Sequence, residues 1–253
     1  MSGVIWIAVL VAVLVAAGAV LLRYGTRWGS TSEERARPLP GDRYLDEGRG
    51  PRVVMTRSVS LRAPPAQVWP WIAQTGRGAG WYSYDRLDNG GRMSARHLVS
   101  WIPAPRLGDA GPVGYLRHLD TEHELSWWLD GGRFFGARVR NAMQYRVTGD
   151  GVRSRLVARM QAEARGPLAR FSLWLYRILD TIMARRQLLG IKARVEEHGH
   201  RTADPEHPET GARDQFQLYH FLYAAGGEAG VPGEQDAPRW RRTARDDGVL
   251  GHL

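Results

Sequence analysis

Cysteine is absent from the 253 residues, and lysine is nearly absent, since Lys192 is the only one. Without cysteine there can be no disulfide, no thiolate zinc site and no catalytic thiol, although such a chain suits either side of a membrane. No GxSxG sequence and no clear Ser, His and Asp framework is present, so covalent catalysis has no support and we assign no catalytic residue. The eight histidines show no paired metal spacing apart from His198 and His200, and we predict neither a metal site nor a cofactor.

One long apolar run stands at the N-terminus, where residues 3–22 contain no charged side chain. About twenty helical residues at 1.5 Å each cross the roughly 30 Å hydrocarbon core of a bilayer, so the run predicts a transmembrane helix over residues 1–23. The alternative is a cleaved secretory signal, because residues 17–19 (Ala-Gly-Ala) resemble a cleavage site. The run continues through Leu21 and Leu22, and no basic residue precedes it, which favours an uncleaved anchor.

The basic residues near this run all follow it, beginning with Arg23, Arg27, Arg35 and Arg37. Because Lys and Arg beside a span stay on the cytoplasmic side, we predict a single-pass cell-membrane protein whose soluble domain lies in the cytoplasm. A long domain can be translocated despite such charges, and this is the alternative orientation.

The chain has a net charge of +9, with 24% charged and 43% hydrophobic residues. The part that follows the anchor therefore has the composition of one modest soluble domain. A basic protein tethered to a membrane lies readily against anionic headgroups. The arginines are spread along the chain and form no recognisable nucleic-acid recognition motif, so we predict no nucleic-acid partner.

Residues 24–52 are rich in Gly, Pro, Arg and Glu without a sustained period, and we interpret them as a juxtamembrane linker. A β-branched strand is predicted over residues 53–61, followed by a short helix over residues 66–74 that Pro70 should disturb. Further strands are predicted over residues 113–119, 123–129, 133–147 and 153–162, separated by Gly and Asp turns.

Alternation along the strand at residues 138–147 separates an apolar face from a face of Arg and Gln. The apolar face carries, in order, Val139, Asn141, Met143, Tyr145 and Val147. The next strand alternates in the same way, so we predict an antiparallel sheet with one face exposed to solvent. Apolar residues at helical spacing over residues 167–198 predict a long helix covering the other face. Its arginines and Asp180 argue against a second membrane segment.

Several short segments resemble one known superfamily. They are Ala63-Pro64 with Val68-Trp69, the block Gly80-Trp81-Tyr82-Ser83-Tyr84-Asp85, Leu107-Gly108-Asp109, and residues 183–194. Residues 53–198 are in this respect similar to the SRPBCC (START-like, helix-grip) superfamily, in particular to bacterial polyketide cyclase/dehydrase-like proteins. The resemblance implies an α+β fold in which a curved antiparallel sheet grips a C-terminal helix, with a hydrophobic cavity between them.

The resemblance does not imply one chemistry, because helix-grip proteins include carriers, receptors and cyclases. We expect a membrane-anchored domain that binds a hydrophobic small molecule or lipid. The alternatives are a cyclase or dehydrase-like enzyme and an interaction module with a filled core. The predicted ligand-binding residues are aromatic or polar groups expected at the cavity: Trp81, Tyr84, Asp85, Trp127, Asn141 and Tyr145.

Two remaining segments have simpler interpretations. The glycines in residues 75–80 (TGRGAG) follow a helix rather than a strand, so we interpret them as a loop with positive φ and not as a phosphate cradle. Residues 199–253 are predicted to be a mostly disordered tail, with an apolar segment at residues 216–225 that could dock on the domain, the bilayer or a partner.

Overall fold

The computed structural model describes residues 2–45, 48, 50–111 and 113–198, and the predicted tail lies outside these residues. The helices are α1 (Ser2–Gly25), α2 (Ser32–Ala36), a 3₁₀ helix (Pro40–Leu45), α3 (Pro65–Gln74), α4 (Asp85–Asp88) and α5 (Ala169–His198). The strands are β1 (Arg52–Leu61), β2 (Ala110–Gly111), β3 (Gly114–Asp120), β4 (Glu124–Phe134), β5 (Ala137–Gly149) and β6 (Ser154–Arg165).

The six strands form one antiparallel sheet in the order β1-β6-β5-β4-β3-β2. Met143 in the middle of β5 lies opposite Trp127 of β4 and Met160 of β6, so these side chains share one face. We call it the inner face, because α5 packs across it. The predicted α+β helix-grip fold, with an apolar N-terminal helix ahead of it, is confirmed.

The buried apolar side chains on the inner face fall into two clusters. In the first cluster, Trp71 of α3 and the C-terminal half of α5, including Leu188 and Ile191, pack on the sheet. The second joins the N-terminal half of α5, including Leu173 and Tyr176, to the β4–β5 end of the sheet. The 30-residue helix is long enough, at about 45 Å, to span both clusters.

The helix predicted over residues 66–74 is observed as α3, which continues through Pro70. A proline removes the hydrogen bond to the carbonyl four residues earlier, here that of Ala66. Ala66 is exposed, so water can take the place of the missing donor. The following loop matches the prediction, since Gly76, Gly78 and Gly80 all have positive φ.

The opposite face of the sheet, the outer face, was predicted to be exposed, and this prediction was wrong for much of its area. Gln144, Arg159 and Gln161 point outward, yet their exposed fractions are 1%, 3% and 1%. Residues 26–45, which we call the strap, cross over them and include α2 and the 3₁₀ helix. The strap adds apolar contact through Tyr44, whose ring centroid lies 5.2 Å from that of Trp128.

Asp42 is the centre of the polar contacts between the strap and the outer face. Its Oδ2 accepts a hydrogen bond from Arg159 at 2.6 Å, and its Oδ1 accepts from Gln144 at 2.9 Å and from Gln161. The strap therefore replaces water as the partner of these polar side chains. The boundary between linker and domain stays a prediction, but residues 26–45 pack as part of the sheet structure.

Glu34 fixes the other end of the strap. Its side chain accepts hydrogen bonds from Arg155 at 2.6 Å and from Ser58 at 2.9 Å, and it forms a capping box with Thr31 at the start of α2. Burial alone would raise the pKa of Glu34, but the hydrogen bonds from Arg155, Thr31 and Ser58 outweigh it and lower the pKa to about 2.

The apolar helix α1 is joined to the domain through Arg57, which is buried on the inner face of β1. Its guanidinium donates to the carbonyl of Gly25 at 2.7 Å, to Asp180 at 2.5 Å and to the hydroxyl of Thr181 at 3.2 Å. A cation at the C-terminal end of a helix complements the helix dipole. Arg57 therefore ties the last residue of α1 to the middle of α5.

Candidate ligand-binding site

Three of the predicted ligand-binding residues lie together on the inner face. Trp127 of β4 is directly opposite Met143 of β5, so it is the diagonal neighbour of both Asn141 and Tyr145. Diagonal neighbours in an antiparallel pair lie about 7–8 Å apart, within reach of an indole ring. All three side chains are buried. The strand register alone brings them together, as alternation predicts.

Tyr145 has a fixed partner on α5. Its hydroxyl donates a hydrogen bond to Oε1 of Gln187 at 2.8 Å, and both side chains are buried. Burial raises the pKa of Tyr145 far above its ordinary value, with a further contribution from the negative charge of Asp180. The phenol is therefore held protonated, and it links the sheet to the helix.

Asn141 differs from its neighbours because its Oδ1 has no hydrogen-bond partner within the described part of the chain. The residue is only 1% exposed. Leaving a buried acceptor unpaired costs about 1–3 kcal/mol, so nearly all buried polar groups in proteins are bonded. An unpaired amide oxygen on an apolar face is a place where an external N–H or O–H donor would be stabilised.

The surroundings of Asn141 mark a break in the apolar core. Val139, two residues earlier on β5, belongs to one cluster, and Met143, two residues later, belongs to the other. Leu129, directly opposite Asn141, and Met160, which packs against both clusters, are partly exposed although they lie on the inner face. Asn141 therefore separates the two apolar clusters on β5, and two of the apolar residues near it are only partly buried.

The aromatic residues after α3 differ in how deeply they are buried. Trp81 is partly buried against Gly76, where an added Cβ would lie 2.6 Å from the ring, whereas Tyr84 is 44% exposed. Asp85 accepts a hydrogen bond at 2.6 Å from Ser94, whose hydroxyl in turn accepts one from the backbone N–H of Tyr82. Asp85 therefore holds the loop in its conformation.

Tyr82, which no local pattern distinguishes from its aromatic neighbours, is the buried member of this block at 1% exposure. It adopts a φ of +59°, packs edge-on against Trp71 and lies under the guanidinium of Arg194 at 4.8 Å. Its hydroxyl accepts a hydrogen bond from Gln74 at 2.5 Å. Tyr82 therefore packs into the inner-face core beside the C-terminal half of α5.

The block and the inner-face residues converge on one stretch of α5. Ser83 donates to the carbonyl of Met183 at 2.9 Å, Tyr145 bonds Gln187, and Gly190 lies so close to Tyr82 that an added Cβ would be 2.1 Å from its carbonyl oxygen. Residues 183–190 thus form the side of the candidate site contributed by α5. Tyr84 and Asp85 directly follow Ser83 in the chain, and Trp127 belongs to the same apolar cluster as Leu188.

Asp88 is a titratable residue that the sequence analysis missed. Burial, with a smaller contribution from the charge of Asp85, raises the pKa of its carboxyl to about 7. The sequence signal was the spacing of Asp85 and Asp88, which places two carboxylates one helical turn apart. Asp88 lies on α4 and not on the inner face of the sheet.

The outer face carries a different kind of pocket, with a volume of about 170 Å³. It is lined by Asp130, Arg138, Arg140, Glu163 and Arg165. Glu163 pairs with Arg165 at 2.9 Å and with Arg140 at 3.5 Å, so ion pairs make up its walls. This lining does not suit the apolar ligand predicted for the inner face. Within the ranges described, no group of three His, Asp or Glu side chains is placed to hold a metal ion.

Comparison with known proteins gives no family assignment, because neither a protein-family model nor a curated protein matches the chain. Among solved structures, Ara h 8.0201 is 12% identical with a TM-score of 0.36, covering 57% of this chain and 98% of its own. A conserved protein from Geobacillus kaustophilus is 9% identical with a TM-score of 0.36, covering 56% and 95%.

DynU16, described as a putative protein in the dynemicin biosynthetic locus, is 17% identical with a TM-score of 0.31, covering 55% of this chain and 46% of its own. Likenesses of this strength carry no argument about the site. The fold class rests on the sheet and helix themselves.

Proposed function

We propose that this protein is a membrane-anchored helix-grip domain that binds a hydrophobic small molecule or lipid between its sheet and α5. The observation that supports this most strongly is Asn141, a buried amide whose Oδ1 lacks a partner at the break between two apolar clusters. Such a position suits a ligand with an apolar body and one N–H or O–H group. The indole of Trp127 offers apolar area beside it.

Membrane anchoring is supported by α1. Among the described residues, one helix is long and apolar enough to cross a bilayer, Ile5–Gly25 with a mean hydropathy of 2.9, a property that membrane spans and signal sequences share. Arg23 lies in its last turn and Arg27 follows it, and basic residues at this end of the helix favour a cytoplasmic domain. A domain held beside a bilayer exchanges apolar cargo over a short distance.

The test uses the full chain, expressed in bacterial membranes, reconstituted into nanodiscs and washed. Bound molecules are extracted and identified by mass spectrometry, for the wild type and for Asn141→Leu, which keeps the branched shape of the side chain and has no amide. Thr148→Val, an exposed change on the same strand, is the matched control. We expect the wild type and Thr148→Val to retain the same molecule at stoichiometric amounts and Asn141→Leu to lose most of it.

Three results would each overturn a part of the proposal. A wild-type protein that stays empty after exposure to a total lipid extract would leave an interaction module as the better interpretation. Equal retention by Asn141→Leu would place the binding site elsewhere. Cleavage of the purified chain near residue 19 would show that α1 is a signal sequence.

An enzyme of the cyclase or dehydrase kind is a second candidate, favoured by Asp88. A carboxyl with a pKa near 7 can both donate and accept a proton at neutral pH. Incubation with an aromatic polyketide, followed by product analysis, tests this. Turnover that is lost in Asp88→Asn would support an enzyme, and no turnover by the wild type would reject it for that substrate class.

A further inference from the structure

The N-terminal half of α5 carries an apolar row on the surface that faces away from the sheet. Phe171, Trp174, Ile178 and Ile182 are spaced so that they lie on one side of the helix. Phe171, Trp174 and Ile182 are about half exposed, at 50%, 51% and 48%. The rings of Phe171 and Trp174 stack at 6.0 Å. On the opposite side of the same half, Leu173 and Tyr176 are buried in the core.

The turn between β4 and β5 extends this apolar surface. Phe135 is 53% exposed and adopts a φ of +44°, a backbone conformation that is unusual for a phenylalanine. Its carbonyl accepts a hydrogen bond from Ser172 of α5 at 3.0 Å, which holds the turn beside the start of the helix. Leu168, also 50% exposed, packs against Gly136 of this turn. We call Phe135, Leu168, Phe171, Trp174, Ile178 and Ile182 the apolar patch.

The apolar patch is continuous with the point at which α1 leaves the domain. Gly25, the last residue of α1, is in contact with Thr181, and Arg57 bonds both of them. Trp28, just after α1, lies 5.2 Å from the guanidinium of Arg185. Thr181 is the direct neighbour of Ile182, and Phe171 is about 15 Å further along α5. The end of the apolar helix and the apolar patch therefore meet on one helix.

The charged side chains of α5 around the apolar patch are basic apart from Asp180. Arg170, Arg177, Arg185 and Arg186 flank it, and Asp180, the one acidic residue in the sequence of this half of α5, is bonded to Arg57. Anionic headgroups complement such a surface, with each nearby basic residue contributing about 1 kcal/mol. Aromatic rings beside arginines are typical of segments at the membrane–water interface.

We propose that the apolar patch lies in the interfacial region of an anionic bilayer, with α5 parallel to the membrane plane and its rings about 5–10 Å into the headgroup and acyl boundary. This inference rests on the proposed anchoring through α1. It gives the domain a fixed orientation, in which the helix that contributes Gln187 to the candidate site rests on the bilayer.

The absence of cysteine makes a site-specific test direct, because a single introduced thiol can be labelled without background. Phe171→Cys and Phe135→Cys, each in the full chain, are labelled with a polarity-sensitive fluorophore and reconstituted in phosphatidylcholine and phosphatidylglycerol vesicles. Quenching is measured with lipids that carry a nitroxide at a shallow or a deep acyl position. Leu10→Cys reports on α1, and Val152→Cys, 71% exposed at the other end of β5, is the matched surface control.

We expect Phe171→Cys and Phe135→Cys to lose fluorescence with the shallow quencher, Leu10→Cys to lose it with the deep quencher, and Val152→Cys to keep it with both. Quenching of Leu10→Cys alone would overturn the interfacial orientation while leaving the anchor intact. If only Leu10→Cys is quenched but the label on Phe171→Cys still reports an apolar environment, then residues 216–225 or a second copy cover the apolar patch. Failure of Leu10→Cys to be quenched would overturn the anchoring itself.

Discussion

Replacing Arg57 by methionine tests whether one side chain holds α1, β1 and α5 together. Arg57 is 1% exposed, and its guanidinium donates hydrogen bonds to Gly25, Asp180 and Thr181. Methionine retains much of the apolar stem but leaves the carboxylate of Asp180, whose side chain is 13% exposed, without its partner. The carbonyl of Gly25 also loses its donor.

Removing one partner of a buried ion pair costs about 3–5 kcal/mol, because the remaining charge is left without compensation. Replacing both partners by apolar side chains of similar volume is often neutral. We therefore expect Arg57→Met and Asp180→Leu each to destabilise the protein by about 3 kcal/mol or more, and the double variant to recover much of that loss. For a domain of this size, the single variants should lower Tm by roughly 6–20 °C.

The assay is thermal and urea unfolding of the full chain in detergent, followed by tryptophan fluorescence. Arg62→Met is the control, since Arg62 follows the same strand and pairs with Glu196 at 3.5 Å but is 81% exposed in its side chain. An exposed pair of this kind contributes about 0–1 kcal/mol. Equal effects of Arg57→Met and Arg62→Met, or additive effects of the Arg57 and Asp180 changes, would refute the reasoning.

Two further predictions concern the strap and α4. Asp42→Ala should destabilise the protein by about 3–5 kcal/mol in urea unfolding, because Arg159 stays buried without a carboxylate. The control is Asp130→Ala, which should change stability little because the side chain of Asp130 is 61% exposed. Equal effects of the two changes would contradict the role of the strap. The pKa of Asp88 is raised from 3.8 to about 7 in the folded protein, so the folded state binds more protons between these values and stability should fall as pH rises from about 4 to 7. Asp88→Asn should flatten this dependence, and parallel pH profiles for the two proteins would show that another group is responsible.

Local periodicity was enough to predict the long helix and most of the sheet, but the turn predicted between residues 129 and 133 was wrong, because β4 continues to Phe134. The two faces of β5 follow from alternation, and α5 was predicted over residues 167–198 and observed over Ala169–His198. Asn141 could be singled out for the same reason, since a polar residue on an apolar face breaks the pattern. Its role as a ligand-binding residue, like that of Trp127 and Tyr145, stays a prediction.

The strap could not be predicted in this way, because it covers polar groups with polar groups. Gln144 and Gln161 read as solvent-exposed in a hydropathy pattern whether water or Asp42 is their partner.

The aromatic block posed another difficulty. Which ring points inward depends on the positive φ of Tyr82, a non-local constraint set by Trp71, Arg194 and the close approach of Gly190.

Asp42 leaves the ribosome well before the side chains that bond to it. Gln144, Arg159 and Gln161 follow it by 102, 117 and 119 residues. At about 5–20 residues per second, synthesis of that much chain takes roughly 6–24 s. During this interval the strap has no sheet to lie on and its carboxylates stay hydrated, while the apolar N-terminal helix is already available for insertion. Completion of β6, and not emergence of the strap, therefore sets the earliest moment at which this end of the protein can fold.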